Sequence, residues 1–397
     1  MVPLVLLLSL FAVFATSLSI ASVFRLTARR RETRNLDHRD ARPSSDSAKR
    51  SITILKPLCG ADDQLEANLE TFFVQDHPSF ELVFGVEGES DPAIPIVRRL
   101  RHRYPTVKSR LVIHAGGKAL NPKVANLEVM MANVTHDLVV ISDSNIAAGP
   151  SWLSSLVDFY ESDPRHGLVT NLFVGTGEET LGATLENLHL AGPVAGSLAI
   201  SNELLDNAEA VGKSMMFSRS TFETLGGMSS LGTVLAEDFV MGRMFAQAGY
   251  KVAIAPTTVA NVTTRTTVQK FFARQLRWSL IRSRVCSVAY PFEPLISPML
   301  PALLSPLAGP FMPAFFALGI ALTLVRDAAQ WLRLRGRDGL LSALPLGPTK
   351  ELALLAVWAL APFTTRVAWR GKRFRVAAGS RLYAERPMSA VPFAQWE

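Results

Sequence analysis

Val2 to Phe24 is an unbroken run of 23 residues without a formal charge, and about 20 helical residues cross a bilayer core. Arg25, Arg29, Arg30, Arg31 and Arg34 follow it directly. A cleavable signal peptide carries its basic residues before the apolar run, with a small-residue cleavage site after it. Here the charge order is reversed. The pattern predicts an uncleaved signal anchor over residues 1–25, with residues from 25 onward in the cytoplasm; a cleaved signal is the alternative. Residues 26–50 are basic and polar, contain Pro43, and read as a linker.

A second apolar excess lies near the other end. Ile296 to Val325 holds 30 uncharged residues punctuated by Pro298, Pro301, Pro306, Pro310 and Pro313. Prolines at that frequency predict broken or re-entrant helices rather than one straight span. After a basic run at Arg326, Arg333, Arg335 and Arg337, Gly339 to Thr365 is apolar apart from Lys350 and Glu351. Residues 291–366 are therefore expected to make two to four membrane crossings, with 367–397 a basic cytoplasmic tail. The whole chain is 48% apolar and only 19% charged, which excludes a disordered protein. Two cysteines, Cys59 and Cys286, exclude a disulfide framework and a four-thiolate zinc site. A net charge of +7 suits an anionic membrane surface or a phosphate ligand. No nucleic-acid module is visible.

Between residues 51 and 265 strand and helix patterns alternate. Ser51–Leu55, Glu81–Glu87, Arg110–His114 and Asp137–Ser142 read as strands; Asp62–Gln75, Asp91–Tyr104 and Asn121–Asn133 read as the helices between them. Alternation of this kind predicts an α/β domain with a mostly parallel sheet. Ligands in such sheets collect at the carboxyl ends of strands, and the chemically informative residues fall there.

Asp143 follows the fourth strand in Asp143-Ser144-Asn145. A carboxylate in that position can reach a divalent cation bound to a diphosphate; the alternative is an Asp capping the next turn. Asn145 stands where the Asp-x-Asp pattern of sugar-nucleotide enzymes has a second carboxylate. Asp91 follows the second strand and can accept hydrogen bonds from a base or ribose, or simply start a helix ahead of Pro92. Glu237-Asp238 opens a predicted helix to about Ala248, where acids suit the macrodipole. Asp238 is also placed to act as a general base on an acceptor hydroxyl. Residues 266–290 read as an amphipathic interfacial helix with Lys270, Arg274, Arg277 and Arg284 down one side. An Arg fork there would stabilise a departing diphosphate; the alternative is a basic helix lying on anionic lipid. The seven histidines show no metal-ligand spacing.

Taken in order, Ile54-Leu-Lys-Pro-Leu58, Asn68-Leu-Glu-Thr-Phe-Phe73, Asp91-Pro-Ala93, Asn121-Pro-Lys123 with Asn126-Leu127, Asp143-Ser144, Ala183-Thr-Leu-Glu186, Ala236-Glu-Asp238 and Arg274-Gln-Leu-Arg-Trp278 resemble the ceramide glucosyltransferase family. The resemblance implies a glycosyltransferase A-type, Rossmann-like mixed sheet flanked by N-terminal and C-terminal membrane helices. It implies an inverting enzyme moving glucose from UDP-glucose to the primary hydroxyl of ceramide, in a bacterial-type inner membrane with the catalytic domain facing the cytoplasm. Asp91 would contact the uridine, Asp143 the diphosphate and a Mg or Mn ion, and Asp238 would be the catalytic base. Arg274, Arg277 and Trp278 would serve the diphosphate and the acceptor, with Lys56 and Lys123 as nucleotide neighbours. The chain departs from eukaryotic members at Leu190–Ala210, which lacks their His-Pro element. A sister branch with the same motifs transfers N-acetylglucosamine from UDP-N-acetylglucosamine to hopanoids, so the acceptor is open between ceramide and hopanoid. A non-catalytic membrane protein binding nucleotide or lipid is the remaining alternative.

Overall fold

The computed structural model describes residues 1–39, 50–204, 209–369 and 372–384. Of the expected linker over 26–50, residues 26–39 continue the N-terminal helix, while 40–49 and the tail from 385 onward lie outside the described residues.

Eight strands form the central sheet: β1 (Ile52–Pro57), β2 (Phe80–Glu87), β3 (Ser109–His114), β4 (Leu138–Ser142), β5 (Ile146–Ala147), β6 (His166–Thr176), β7 (Ser214–Ser218) and β8 (Lys251–Val262). Their spatial order is β3-β2-β1-β4-β7-β6-β8-β5. The first four are mutually parallel, whereas β7 runs antiparallel between β4 and β6. This is the mixed sheet that the family resemblance implies, with antiparallel pairs at β7 and β5 that the strand–helix alternation alone did not give. The chain builds β2 and β3 on one side of β1, then returns to place β4 on the other. The reversal opens a crevice beyond the carboxyl ends of β1 and β4, the switch point at which open α/β sheets bind ligands.

Helices cover both faces. From the N-terminus they are α1 (Val2–Arg39), α2 (Leu65–Phe73), α3 (Ala93–Arg103), α4 (Pro122–Met131), α5 (Trp152–Glu161), α6 (Leu181–His189), α7 (Ala195–Leu204), α8 (Arg219–Thr224), α9 (Glu237–Gln247) and α10 (Val268–Val285). Ile52 and Ile54 pack with Leu69, Phe72 and Val97 on one face. Leu55, Val139 and Ile141 pack with Val124, Met130 and Phe245 on the other. Strands covered twice need apolar residues at every position, which explains the nearly continuous apolar runs.

Among the described residues three helical stretches are long and apolar enough to cross a membrane: Val2–Ala28, Ser305–Arg335 and Leu340–Phe363. Two of them are C-terminal, within the expected range, and together they mark the chain as a membrane protein. The proline-rich stretch breaks as predicted into short pieces: Tyr290–Ile296, α11 (Met299–Leu303) and Ser305–Phe311, where Gly309 turns the chain with φ 59°. Continuous helix resumes in α12 (Met312–Arg335). A short α13 (Leu340–Ala343) leads to α14 (Gly347–Leu360). The N-terminal helix is clamped into this bundle. Gln330 donates to Ser19 Oγ at 2.8 Å, Arg333 to Thr27 Oγ1 at 2.7 Å, and Ser22 to Glu203 of α7 at 2.8 Å. Leu7, Leu10, Phe14, Phe316 and Phe363 stay exposed, an apolar surface suited to lipid.

Lys350 and Glu351, the charges inside the last apolar run, are buried against Arg326 and Asp327 of α12. Lys350 Nζ lies 3.0 Å from Asp327, and Arg326 reaches Asp327 and Glu351 at 2.8 Å each. Two cations and two anions neutralise one another, so the hairpin buries no net charge.

The stretch from 367, expected as the start of a basic tail, contributes instead, with Arg366, to an antiparallel sheet of β9 (Arg366–Trp369), β10 (Lys372–Val376) and β11 (Leu382–Ala384). Phe374, Val376 and Leu382 bury against Leu235 and Leu280, which explains why this short basic stretch is ordered.

Lys350→Met removes one cation and leaves Asp327 underneutralised, a change of roughly 3–5 kcal/mol where a buried pair is broken. A clearly lowered thermal transition in detergent is expected, whereas Lys350→Arg should retain most of the stability. An unchanged transition in Lys350→Met would contradict the neutralised-cluster account.

Candidate active site

Five backbone segments meet at the switch point: the carboxyl ends of β1 and β4, the N-terminus of α4, the turn before β7 and the N-terminus of α9. Lys56, at the end of β1, is fully enclosed. Its Nζ donates to the Asp143 carbonyl at 2.6 Å and Ser142 Oγ at 3.2 Å, and it sits 3.7 Å above the Phe72 ring. Burial pushes its pKa well down, although Asp143 works the other way. Lys56 therefore acts on the crevice through the backbone of Asp143.

Lys123 is the hub. Asn121 caps α4 by accepting from the Lys123 and Val124 N–H groups, and Pro122 starts the helix in its preferred first position. From there Lys123 Nζ reaches Asp143 Oδ1 at 2.7 Å, Glu237 Oε1 at 3.0 Å and the Gly212 carbonyl at 3.4 Å. Burial acts to lower its pKa, but Asp143, Glu237 and Asp238 outweigh this and raise it. The other Asp143 oxygen lies 3.1 Å from Lys213 Nζ. Burial alone would raise the Asp143 pKa; Lys123 and Lys213 hold it well below the ordinary carboxylate range.

Asp238 stands across Gly212 from Lys123. Its Oδ2 accepts from Gly212 N at 2.8 Å and its Oδ1 from Phe239 N at 2.8 Å. Burial, then the Glu237 charge, push its pKa up, against the pull of Lys123 and the two N–H donors; the result is about 6. A Cβ on Gly212 would lie 2.9 Å from Lys123 Nζ and 3.1 Å from Asp238 Oδ2, so the turn needs glycine where it threads between them. The segment ahead of Asp238 is pinned by the small C-terminal sheet. Leu235 N donates to the Ser380 carbonyl at 2.9 Å, and Ala236 N to Ser380 Oγ at 3.3 Å.

Asp91 lies one strand beyond β1. Both its oxygens are engaged, by Ala93 N at 2.8 Å and Gly60 N at 2.9 Å, so the helix-start geometry is realised. Through Gly60 it joins the loop after β1. In that loop Asp62 accepts from Ser144, and Asp63 accepts from Thr264 N at 3.2 Å and Arg265 N at 2.8 Å. The structure thus brings Asp143, Lys123 and Asp238 into direct linkage and ties Asp91 to them by one loop. Arg274, half-buried on α10, pairs with the fully buried Glu186 at 2.9 Å, while Gln275 donates to the other Glu186 oxygen at 3.2 Å. Trp278 packs against the core cluster that holds Ile52 and Leu172. Arg277 is half-buried on the same helix.

Lys213 and Glu186 were not singled out from the sequence as chemistry-bearing. Lys213 reaches Asp143 because β4 and β7 pair with Ser142 opposite Ser214, a long-range register with no local signal. Glu186 lay inside a quoted motif, but only the fold sets it beneath Arg274.

The divalent ion expected at Asp143 does not fit these residues as they stand. Both Asp143 oxygens face ammonium groups. Asn145 Oδ1 accepts from Lys213 Nζ at 3.1 Å, and its Nδ2 donates to Asn261 Oδ1 at 3.0 Å. Among the described residues no group of three or more His, Cys, Asp or Glu could hold a metal.

A lysine-braced carboxylate and a second carboxyl of raised pKa thus stand together at the switch point of a mixed α/β sheet. Residues 7–382 match the model of glycosyl transferase family 21, and the chain belongs to that family. Ceramide glucosyltransferase 3 of Caenorhabditis elegans is 28% identical over 250 residues, 63% of this chain and 54% of that protein. Ceramide glucosyltransferase 1 of the same organism is 26% identical over 359 residues, 86% of this chain and 75% of that protein. A mannosyltransferase from Pyrobaculum calidifontis, solved with GDP-Man and Mn2+, aligns with 90% of this chain and 99% of its own at 18% identity and TM-score 0.46.

If Asp238 is the titrating base, transfer should fall as pH drops through about 6. Glu237→Gln removes a like charge, stabilises the Asp238 carboxylate and should move the acidic limb of the kcat/KM profile to lower pH. An unmoved or upward-shifted limb would contradict the coupling.

Proposed function

We propose that this chain is a membrane-anchored, inverting glycosyltransferase that moves glucose from UDP-glucose to the primary hydroxyl of ceramide. The observation carrying this reading is Asp238: a half-buried carboxyl with its pKa raised to about 6, linked across Gly212 and Lys123 to Asp143 at the sheet's switch point. At neutral pH such a group is ionised yet basic enough to accept a proton. Family membership and the two nematode relatives supply the sugar-transfer and ceramide parts of the reading.

In the proposed reaction Asp238 takes the proton from the acceptor hydroxyl. The hydroxyl oxygen forms a bond to the anomeric carbon from the side opposite the UDP, and the bond from that carbon to the phosphate oxygen breaks. UDP leaves with the electron pair, and the configuration inverts. Asp91 is assigned to the uridine, Asp143 and Lys123 to the diphosphate side, Arg277 to the charge on the leaving group, and Trp278 with Arg274 to the acceptor side. The cytoplasmic placement proposed for the catalytic domain is supported by Arg25, which follows the N-terminal span, and by Arg366 and Arg375, which follow the last one. The apolar bundle of α1, α12 and α14 would deliver a lipid acceptor to the crevice from the bilayer.

Asp238→Asn should lower transfer by about 100-fold or more while UDP-glucose binding survives; wild-type-like turnover would reject the base assignment. Membranes containing the chain, given ceramide or a hopanoid polyol with labelled UDP-sugars, should yield glucosylceramide by mass spectrometry. An N-acetylglucosaminyl hopanoid would overturn the acceptor and donor assignments. Neither glycolipid nor UDP release with any lipid would overturn the enzymatic reading.

A further inference from the structure

The two lysines on Asp143 differ in what they have left to give. Each ammonium carries three N–H donors. Lys123 spends its three on Asp143, Glu237 and the Gly212 carbonyl, and it is buried. Lys213 spends two, on Asp143 Oδ2 and Asn145 Oδ1, each at 3.1 Å. Its third has no partner among the described residues, and its side chain is 19% exposed. The pairing of Ser142 with Ser214 holds this ammonium beside the carboxyl end of β4, at the crevice.

The neighbouring oxygens are poorly suited to a divalent cation, which needs about six oxygen ligands. A cation on either Asp143 oxygen would have to displace an ammonium of like charge. Asn145 contributes no second carboxylate, and its amide oxygen is already used. A lysine is, by contrast, a ready point-charge ligand for phosphate.

We infer that Lys213 is a diphosphate-binding cation of this site, acting beside the Arg277 assigned above, and that Asp143 serves to hold two ammonium groups in place of a resident metal ion. This rests on the nucleotide-sugar reading above and adds to it how the donor's charge is met. When the bond to the anomeric carbon breaks, the departing diphosphate oxygen gains negative charge. A fixed ammonium beside it stabilises that charge with no co-reactant.

The test is calorimetric titration of UDP into the full-length chain in detergent, once with EDTA and once with Mn2+. Wild type should bind equally under both conditions. Lys213→Gln should bind about tenfold or more weakly in both, the loss expected for one charged hydrogen bond, and Lys213→Arg should recover most of it. Uridine, which lacks the diphosphate, should bind wild type and Lys213→Gln alike, separating a phosphate contact from a structural defect. UDP binding lost in EDTA and restored by Mn2+ would overturn the inference while leaving the nucleotide-sugar reading intact. Undiminished UDP binding by Lys213→Gln would overturn the assignment of Lys213. No UDP binding by wild type in either condition would overturn both readings.

Discussion

One buried ammonium ties the catalytic half of the molecule together. Lys123 leaves the first turn of α4 and meets Asp143 from β4, Glu237 from α9 and the backbone of the turn before β7. A charge so enclosed is tolerated only when carboxylates and hydrogen bonds compensate it, so the four segments are constrained to one arrangement. Asp238 inherits its position from that constraint, because Gly212 touches both Lys123 and Asp238. Its raised pKa follows from the same enclosure: burial and Glu237 push upward, and Lys123 limits how far.

The membrane portion is joined to this site at two places. Past the last apolar helix the chain returns to form the small sheet whose Ser380 pins the strand-like segment before Asp238. Arg284 near the end of α10 donates to the Pro362 and Thr364 carbonyls at 3.1 Å each, docking the Arg-rich helix on the end of the hairpin. A shift of the hairpin would therefore be felt at Asp238 and along α10 together. Such coupling suits an enzyme that takes one substrate from water and the other from lipid.

Much of this was legible in the sequence because it depends on local pattern. Alternating strand and helix periods gave the first four parallel strands, and α10 begins two residues after its expected start and ends five residues before its expected end. Asp143 and Asp238 were recognisable as carboxylates following a strand and opening a helix. What stayed hidden depends on partners distant in the chain. Lys213 becomes part of the site only through the antiparallel insertion of β7 beside β4. Lys350 and Glu351 looked like interruptions of an apolar run because Arg326 and Asp327, which neutralise them, come from another helix. The small C-terminal sheet did have a local signal: exposed Arg373 and Arg375 alternate with buried Phe374 and Val376. Its basic composition obscured that period-two pattern.

The central claim is that a nucleotide diphosphate binds in the crevice bounded by Asp143, Lys213 and Asp238, beyond the carboxyl ends of β1 and β4. A structure of the full chain with UDP bound measures this directly. The account predicts phosphate oxygens within hydrogen-bond reach of Lys213 Nζ and the uridine on the Asp91 side of the crevice. UDP seated at the amino edge of the sheet, or on any face that leaves Lys213 and Asp238 without contact to it, would contradict the account.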